Sequence, residues 1–185
     1  MIMTTIRNAT VKDAASIARV HVDSWRTTYK GIINQSYLDQ LCYEEKEKIW
    51  RAYFHKDTGL PIRNDTALIV ATCDNEVVGF VTGGPERKKA GIDAELYAIY
   101  LRDTYQRQGI GQRLLSSLIT ELEKCGNSLK NMLIRVIPDN RHDAFYRKLG
   151  AVDDHEVTFQ LSGQTLTEVA LRWDDIPRLK QLCSS

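Results

Sequence analysis

Apolar residues recur along this chain with two spacings, one near 3.6 residues and one of two residues or fewer, and the alternation of these patterns predicts its elements. Ala14, Ile17, Ala18, His21, Val22 and Trp25 share one helical face, which predicts a helix running to about Tyr29 and stopped by Gly31. Thr10-Val11-Lys12-Asp13 ahead of it has the form of a capping box, the Thr10 hydroxyl accepting from the amide three residues on while Asp13 reaches back. Thr4 to Arg7 reads as an edge strand. Further helices are expected over Ser36 to Leu41 and over Tyr43 to His55, where Ile49, Trp50 and Tyr53 fall on one side.

After a loop from Thr58 to Asp65 that holds Gly59, Pro61 and Asn64, Ala67 to Cys73 is a short buried strand. Asp74-Asn75 turns it into Val77 to Thr82, an antiparallel hairpin. Gly83 to Asp93 is a polar loop, and its run Arg87-Lys88-Lys89 is expected to be solvated surface. Glu95 to Leu101 is a third neighbouring strand. Leu114, Leu115, Leu118, Ile119 and Leu122 then define a helix from Ile110 to Cys125, ending at Gly126. Met132 to Ile137 is a strand closed by Pro138, Asp143 to Leu149 a short helix closed by Gly150, and Val157 to Leu161 with Leu166 to Trp173 a final hairpin. The order β α α α β β β α β α β β predicts an α/β fold with a mixed, mostly antiparallel sheet. Residues 174–185 are expected as a tail or short helix.

Composition narrows the function classes. The 185 residues allow one well-buried domain, folding alone or as a compact oligomer such as a homodimer. With 25 Lys and Arg against 24 Asp and Glu, there is no general attraction for nucleic acid or an anionic membrane. No apolar run approaches the roughly 20 residues that span a bilayer, and the first residues lack signal-peptide character, so a cytoplasmic location is the default expectation. The four cysteines form no C-x-x-C pair and the four histidines show no ligand spacing, so reduced thiols and no metal are expected.

Chemistry concentrates between the strand ending at Leu101 and the helix starting near Ile110, in Gln106-Arg107-Gln108-Gly109-Ile110-Gly111. The first amides of a helix lack internal partners and sit at the positive end of its dipole, so a glycine-containing turn there can hold a pyrophosphate. Spacing rejects a Walker loop, for which no lysine is supplied, and a dinucleotide fingerprint, whose third glycine position is occupied by Leu114. Glycines that merely form a tight connection remain the alternative.

Gln-x-x-Gly-x-Gly at residues 106–111 is preceded by Glu95-Leu96-Tyr97-Ala98-Ile99-Tyr100-Leu101 and followed by Asn140 and Phe145-Tyr146-Arg147-Lys148-Leu149-Gly150. Together these resemble the GNAT superfamily of N-acetyltransferases. The resemblance runs from about residue 4 to 173, and Ser24-Trp25 to Tyr29-Lys30-Gly31 looks like its small-molecule branch. It implies a cleft for acetyl-CoA between the strands at 95–101 and 132–137. The backbone at Ile99, Tyr100 and Leu101 would pair with pantetheine, and the Ile99 amide would polarise the thioester carbonyl. Gln106 and the amides of Arg107, Gln108, Gly109, Ile110, Gly111 and Gln112 would meet the pyrophosphate, with Asn140 on the cofactor arm. Asn140 also suits a helix N-cap.

The same resemblance implies Tyr146 as general acid toward the departing thiolate, where the alternative is a core aromatic. A lysine-like amine is free of its proton in only roughly one molecule in 2,500 at neutral pH, so a proton acceptor helps. Glu95 matches a glutamate that serves as base in some members, and partial desolvation would raise its pKa toward the useful range, directly or through a water. A solvated acid at the strand end is the alternative. Trp25, Tyr29 and Tyr97 are candidates for an aromatic acceptor pocket or equally for core. Direct transfer from acetyl-CoA to a primary amine of a small molecule or peptide follows, with no acyl-enzyme and no nucleic-acid or membrane partner. Two rivals stand beside it: a non-catalytic CoA-binding sensor or interaction domain, and a nucleic-acid-binding domain using Arg87 to Lys89, Arg102, Arg107 and Arg113.

Overall fold

The computed structural model describes residues 4–88, 91–125, 128–138 and 143–184. Its strands are β1 (Thr4–Asn8), β2 (Ala67–Cys73), β3 (Glu76–Gly84), β4 (Ala94–Leu101), β5 (Met132–Val136), β6 (Val152–Leu161) and β7 (Gln164–Trp173). Its helices are α1 (Ala14–Thr28), α2 (Gln35–Asp39), α3 (Tyr43–Arg51), α4 (Ile110–Lys124), α5 (Asp143–Lys148) and α6 (Ile176–Cys183). The strands join in one sheet, ordered β1-β2-β3-β4-β5-β7-β6. Among these seven strands only β4 and β5 pair in parallel. The expected mixed, mostly antiparallel α/β sheet is therefore what the chain forms, with β1 at one edge as its sequence suggests.

Alternation in the central strands sends side chains to two covered faces. On one, α4 buries Ile110, Leu114, Leu115, Leu118, Ile119 and Leu122 in the cluster that holds Ile69, Leu96 and Ile134. Residues 176–183 join this cluster as α6, through Ile176, Leu179 and Cys183. On the other face, Ile17 and Val20 of α1 pack with Leu68, Val70 and Phe80. The start of α1 is pinned by buried Asp13, whose carboxylate accepts from the Thr10 amide at 2.7 Å and takes two bonds of 2.8 Å from Arg7. The reach-back expected of Asp13 is thus present, one 3-10 turn ahead of the α-helix.

Two boundaries differ from the sequence expectation by four residues or more, both because backbone partners elsewhere outweigh local pattern. α3 stops at Arg51 rather than near His55, since the Ile62 amide donates to the Tyr53 carbonyl and the His55 amide to that of Leu60, drawing the chain into a loop. β6 starts at Val152 rather than Val157; its polar first half is held by the register with β7 and by ion pairs of Asp153 with Arg147 and Asp154 with Arg172. Among the described residues no helix is long and apolar enough to cross a membrane.

Leu118 is fully buried and lies over Gly83, where an added Cβ would come within 3.0 Å of its side chain. Leu118→Ala should cost about 3 kcal/mol of unfolding free energy in urea titrations. Substitution of the exposed edge residue Val152 by Thr should change it by less than about 0.5 kcal/mol.

Candidate active site

β4 and β5 are paired only at Ala94 with Met132, Glu95 with Leu133 and Leu96 with Ile134. Beyond Leu96, Ala98 to Leu101 pair with β3 alone, while Arg135 and Val136 pair with β7 alone. The two strands therefore part, leaving one edge of β4 without a partner strand among the described residues, able to accept an extended chain as an added strand. The register of β4 against β3 slips at this point: Gly83 faces Leu96 but Thr82 faces Ala98, so Tyr97 is an extra residue. A bulge of this kind shifts the side-chain alternation by one. As a result Ile99 and Leu101 pack toward α4 and Ala98 and Tyr100 toward α1.

The opened strand runs into the glycine turn. The Gln106 side-chain amide donates to the Leu101 carbonyl at 3.0 Å and to Asp103 at 3.1 Å, and that of Gln108 to the Thr104 carbonyl at 3.0 Å. Arg107 (φ +59°) and Gly109 (φ +76°) are both left-handed, and Gly109 is the N-cap of α4. Glycine takes that conformation without a Cβ clash, which leaves the first amides of α4 facing outward at the positive end of the helix. Gly111 brings the turn against α5, since a Cβ there would be 3.4 Å from the Phe145 ring. Asn140 lies outside the described residues.

Four of the predicted residues meet at the open strand. The Trp25 indole donates to the Tyr100 hydroxyl at 2.8 Å, and Tyr29 lies edge-on to Trp25 with ring centroids 4.9 Å apart. Burial, then the charge and hydrogen bond of Tyr29, push the Tyr100 hydroxyl well above its ordinary pKa. Tyr146 is buried beside Phe145 and Trp173; burial, with Tyr29 and Asp143 adding to it, raises its pKa too. The phenol is thereby held in its protonated form. His21 stacks on Tyr100 at 5.2 Å, and burial, with nearby Lys46, pushes its pKa down to about 3.

Tyr97 and Glu95 belong to a different group of contacts. The Glu95 carboxylate is 0 % exposed and accepts from the Arg87 backbone amide and Nε, both at 3.1 Å, and from the Arg87 terminal nitrogen. Arg135 of β5 lies 2.7 Å from the same carboxylate and donates to Glu86 at 2.6 Å. Arg87 also stacks on the Tyr97 ring at 4.9 Å, and the Tyr97 hydroxyl donates to the Pro85 carbonyl at 2.6 Å.

This arrangement corrects one expectation. Burial does push the Glu95 carboxyl up, but the hydrogen bonds of Arg87 and Arg135 outweigh it, and the pKa lies below the ordinary carboxylate range rather than above it. Arg87 and Lys88 are exposed, as expected of that run, and Arg87 is in addition folded onto Glu95; Lys89 lies outside the described residues.

Arg135 and Glu86 went unassigned in the sequence, His21 was read only as part of the α1 face and Arg87 as solvated surface or as part of a rival nucleic-acid site. A signal existed for Arg135 and Glu95, because a charge inside an apolar strand run must find a partner. No local pattern marks Arg87 or Glu86, since the charged partners that fix them, Glu95 and Arg135, lie on strands outside their loop. Among the described residues no cluster of His, Cys, Asp or Glu could hold a metal ion.

A model of the acetyltransferase (GNAT) family matches residues 25–151. The chain is 40% identical over 181 residues to the uncharacterised N-acetyltransferase YuaI of Bacillus subtilis, covering 97% of this chain and 98% of that one. It is 28% identical over 123 residues to a spermidine N(1)-acetyltransferase of Thermoplasma acidophilum, covering 65% of this chain and 71% of the other. In fold it is similar to the PaiA N-acetyltransferase of Thermoplasma acidophilum solved with coenzyme A (TM-score 0.71, 23% identity, 94% and 99% covered). YncA of Salmonella typhimurium, solved with acetyl-CoA, is likewise similar (TM-score 0.67, 21% identity, 93% and 94% covered).

The cluster has a consequence for acid stability. His21 has a folded pKa of about 3 against an ordinary value of 6.5, so below pH 6.5 the unfolded chain binds a proton that the folded chain refuses. Its contribution to stability is present above pH 6.5 and declines as the pH falls toward 3. Glu95, held below the ordinary 4.5, adds a second loss only at lower pH. His21→Leu should flatten the stability profile between pH 6.5 and about 4.5 in urea titrations; an unchanged slope would exclude His21 as the responsible group.

Proposed function

Because this chain belongs to the acetyltransferase (GNAT) family, we propose that it transfers the acetyl group of acetyl-CoA directly to a primary amine of a small molecule or peptide. The observation that carries this reading is the free edge of β4, which leads from the turn at Arg107 to Gln112 toward the Trp25, Tyr29, Tyr100 and Tyr146 cluster. We take residues 4–173 as the acetyltransferase unit, with residues 174–185 as its C-terminal extension and α6 packed beside α4. Relatives solved with coenzyme A or acetyl-CoA support the donor, and a spermidine acetyltransferase among the relatives supports a small cationic acceptor.

The residues fit the donor on two counts. Gly109, left-handed at the head of α4, opens an anion-binding turn, and the edge of Ile99 to Leu101 that faces away from β3 suits an extended pantetheine arm. In this reading Gln106 shapes the turn, the amides from Arg107 to Gln112 bind the pyrophosphate, and Asn140 contacts the cofactor arm. The donor supplies an acetyl group activated as a thioester.

The chain's residues then divide the work. The Ile99 amide orients and polarises the acyl carbonyl. The Tyr146 hydroxyl, kept protonated by burial, is the hydrogen-bond and proton donor toward the departing thiolate sulfur. Trp25, Tyr29 and Tyr97 supply rings for the acceptor. Glu95, ionised at neutral pH, takes the proton of the acceptor ammonium directly or through a water.

A thiol-release screen across polyamines, amino acids, aminoglycosides and peptide N-termini tests this reading. At least one primary amine should give turnover; acetyl-CoA binding with no thiol release from any of them would favour a CoA-binding sensor. Glu95→Gln should lower kcat/KM by about 100-fold or more, and Tyr146→Phe should lower kcat by about 100-fold. Gly109→Pro should abolish turnover by closing the turn.

A further inference from the structure

The Glu95 carboxylate and the face of the Tyr97 ring both bind cations, and one side chain, Arg87, occupies both. We propose that Arg87 is an internal stand-in for the acceptor: a substrate ammonium binds by displacing the Arg87 guanidinium from Glu95 and from the Tyr97 ring. The inference rests on the reading that Glu95 meets the acceptor.

The two arginines at Glu95 differ in freedom. Arg135 is 5 % exposed, wedged between Glu86 and Glu95, whereas the Arg87 side chain is 58 % exposed and can rotate into water. Its loop does not depend on that side chain. The Tyr97 hydroxyl holds the Pro85 carbonyl, Arg135 holds Glu86, and the Lys88 amide donates to Glu86 at 2.9 Å. Departure of Arg87 would leave the loop anchored and Glu95 short of one counterion.

Charge decides which ligand can fill the vacancy. Glu86 and Glu95 are balanced by Arg87 and Arg135, and a fully buried carboxylate that loses a cation must regain one. A primary ammonium brings that charge and three N–H donors, and its charge also suits the ring face. An alcohol or a neutral amide brings neither. Once bound, the ammonium passes one N–H proton to a Glu95 oxygen, leaving a neutral amine and a carboxylic acid.

Removing the stand-in should therefore strengthen acceptor binding, because a competitor that must be expelled raises the apparent dissociation constant. With spermidine and propylamine as acceptors, Arg87→Ala and Arg87→Gln should lower the amine KM about fivefold or more, while Arg87→Lys keeps an internal cation and stays near wild type. Guanidinium chloride at about 10 mM should compete with the amine in Arg87→Ala and not in wild type. An amine KM that is unchanged or raised in the folded Arg87→Gln protein, with no guanidinium competition, overturns the inference. Glu95→Gln separates the two failures. If it leaves kcat/KM intact, the assignment of Glu95 fails; if it impairs turnover while the Arg87 variants bind no tighter, only the stand-in fails.

Discussion

The parting of β4 from β5 after three residue pairs is the constraint on which the rest of this structure depends. A sheet opens there only if each strand finds other partners, and both do: β4 stays on β3 and β5 on β7. Glu95 lies in the closed part and Arg135 just beyond it, tied by an ion pair inside the fold. Breaking one partner of such a pair costs on the order of 3–5 kcal/mol, so the pair resists both further opening and slippage of the register. The extra residue at Tyr97 completes the opening, because it returns Tyr100 to the α1 face and leaves Ile99 on the α4 face.

Two ends of one strand thereby acquire different chemistry. Toward its C-terminus, β4 delivers the chain to a left-handed glycine and the positive end of α4, an environment for phosphate. In its middle it presents Tyr100 to Trp25 and Tyr29, a dry environment in which phenols keep their protons. At its start, Glu95 and Tyr97 form a cation site that is already filled from within the chain. In the proposed reading the donor and acceptor sites lie along and just beyond this one strand, which suits a reaction whose partners must meet at one carbonyl carbon.

Most of the elements, the sheet class and the phosphate turn were legible from residues. The α4 face from Ile110 to Leu122 repeats at helical spacing, and its pattern alone predicts both the helix and its buried side. Gly109 was legible because a turn into a helix start needs its freedom, and the GNAT resemblance rested on Gln106 to Gly111 with Tyr146. The end of α3 and the start of β6 were not legible, since each is set by backbone partners, Leu60 and Tyr53 in one case and β7 in the other. Local propensity carries no information about such partners.

The sequence by itself determined where chain segments are apolar, where the backbone must turn left-handed and which side chains could donate or accept a proton, because these are properties of residues and their near neighbours. Only the tertiary structure decided what those groups do. Glu95 reads as a carboxylate whose pKa burial would raise; in the fold, Arg87 and Arg135 arrive from a loop and from another strand and lower it. Arg87 reads as solvated surface and is exposed, yet the fold also lays it over that carboxylate. Electrostatic effects act through space over a few ångströms, and the partners that set them here lie 8 and 40 residues away along the chain.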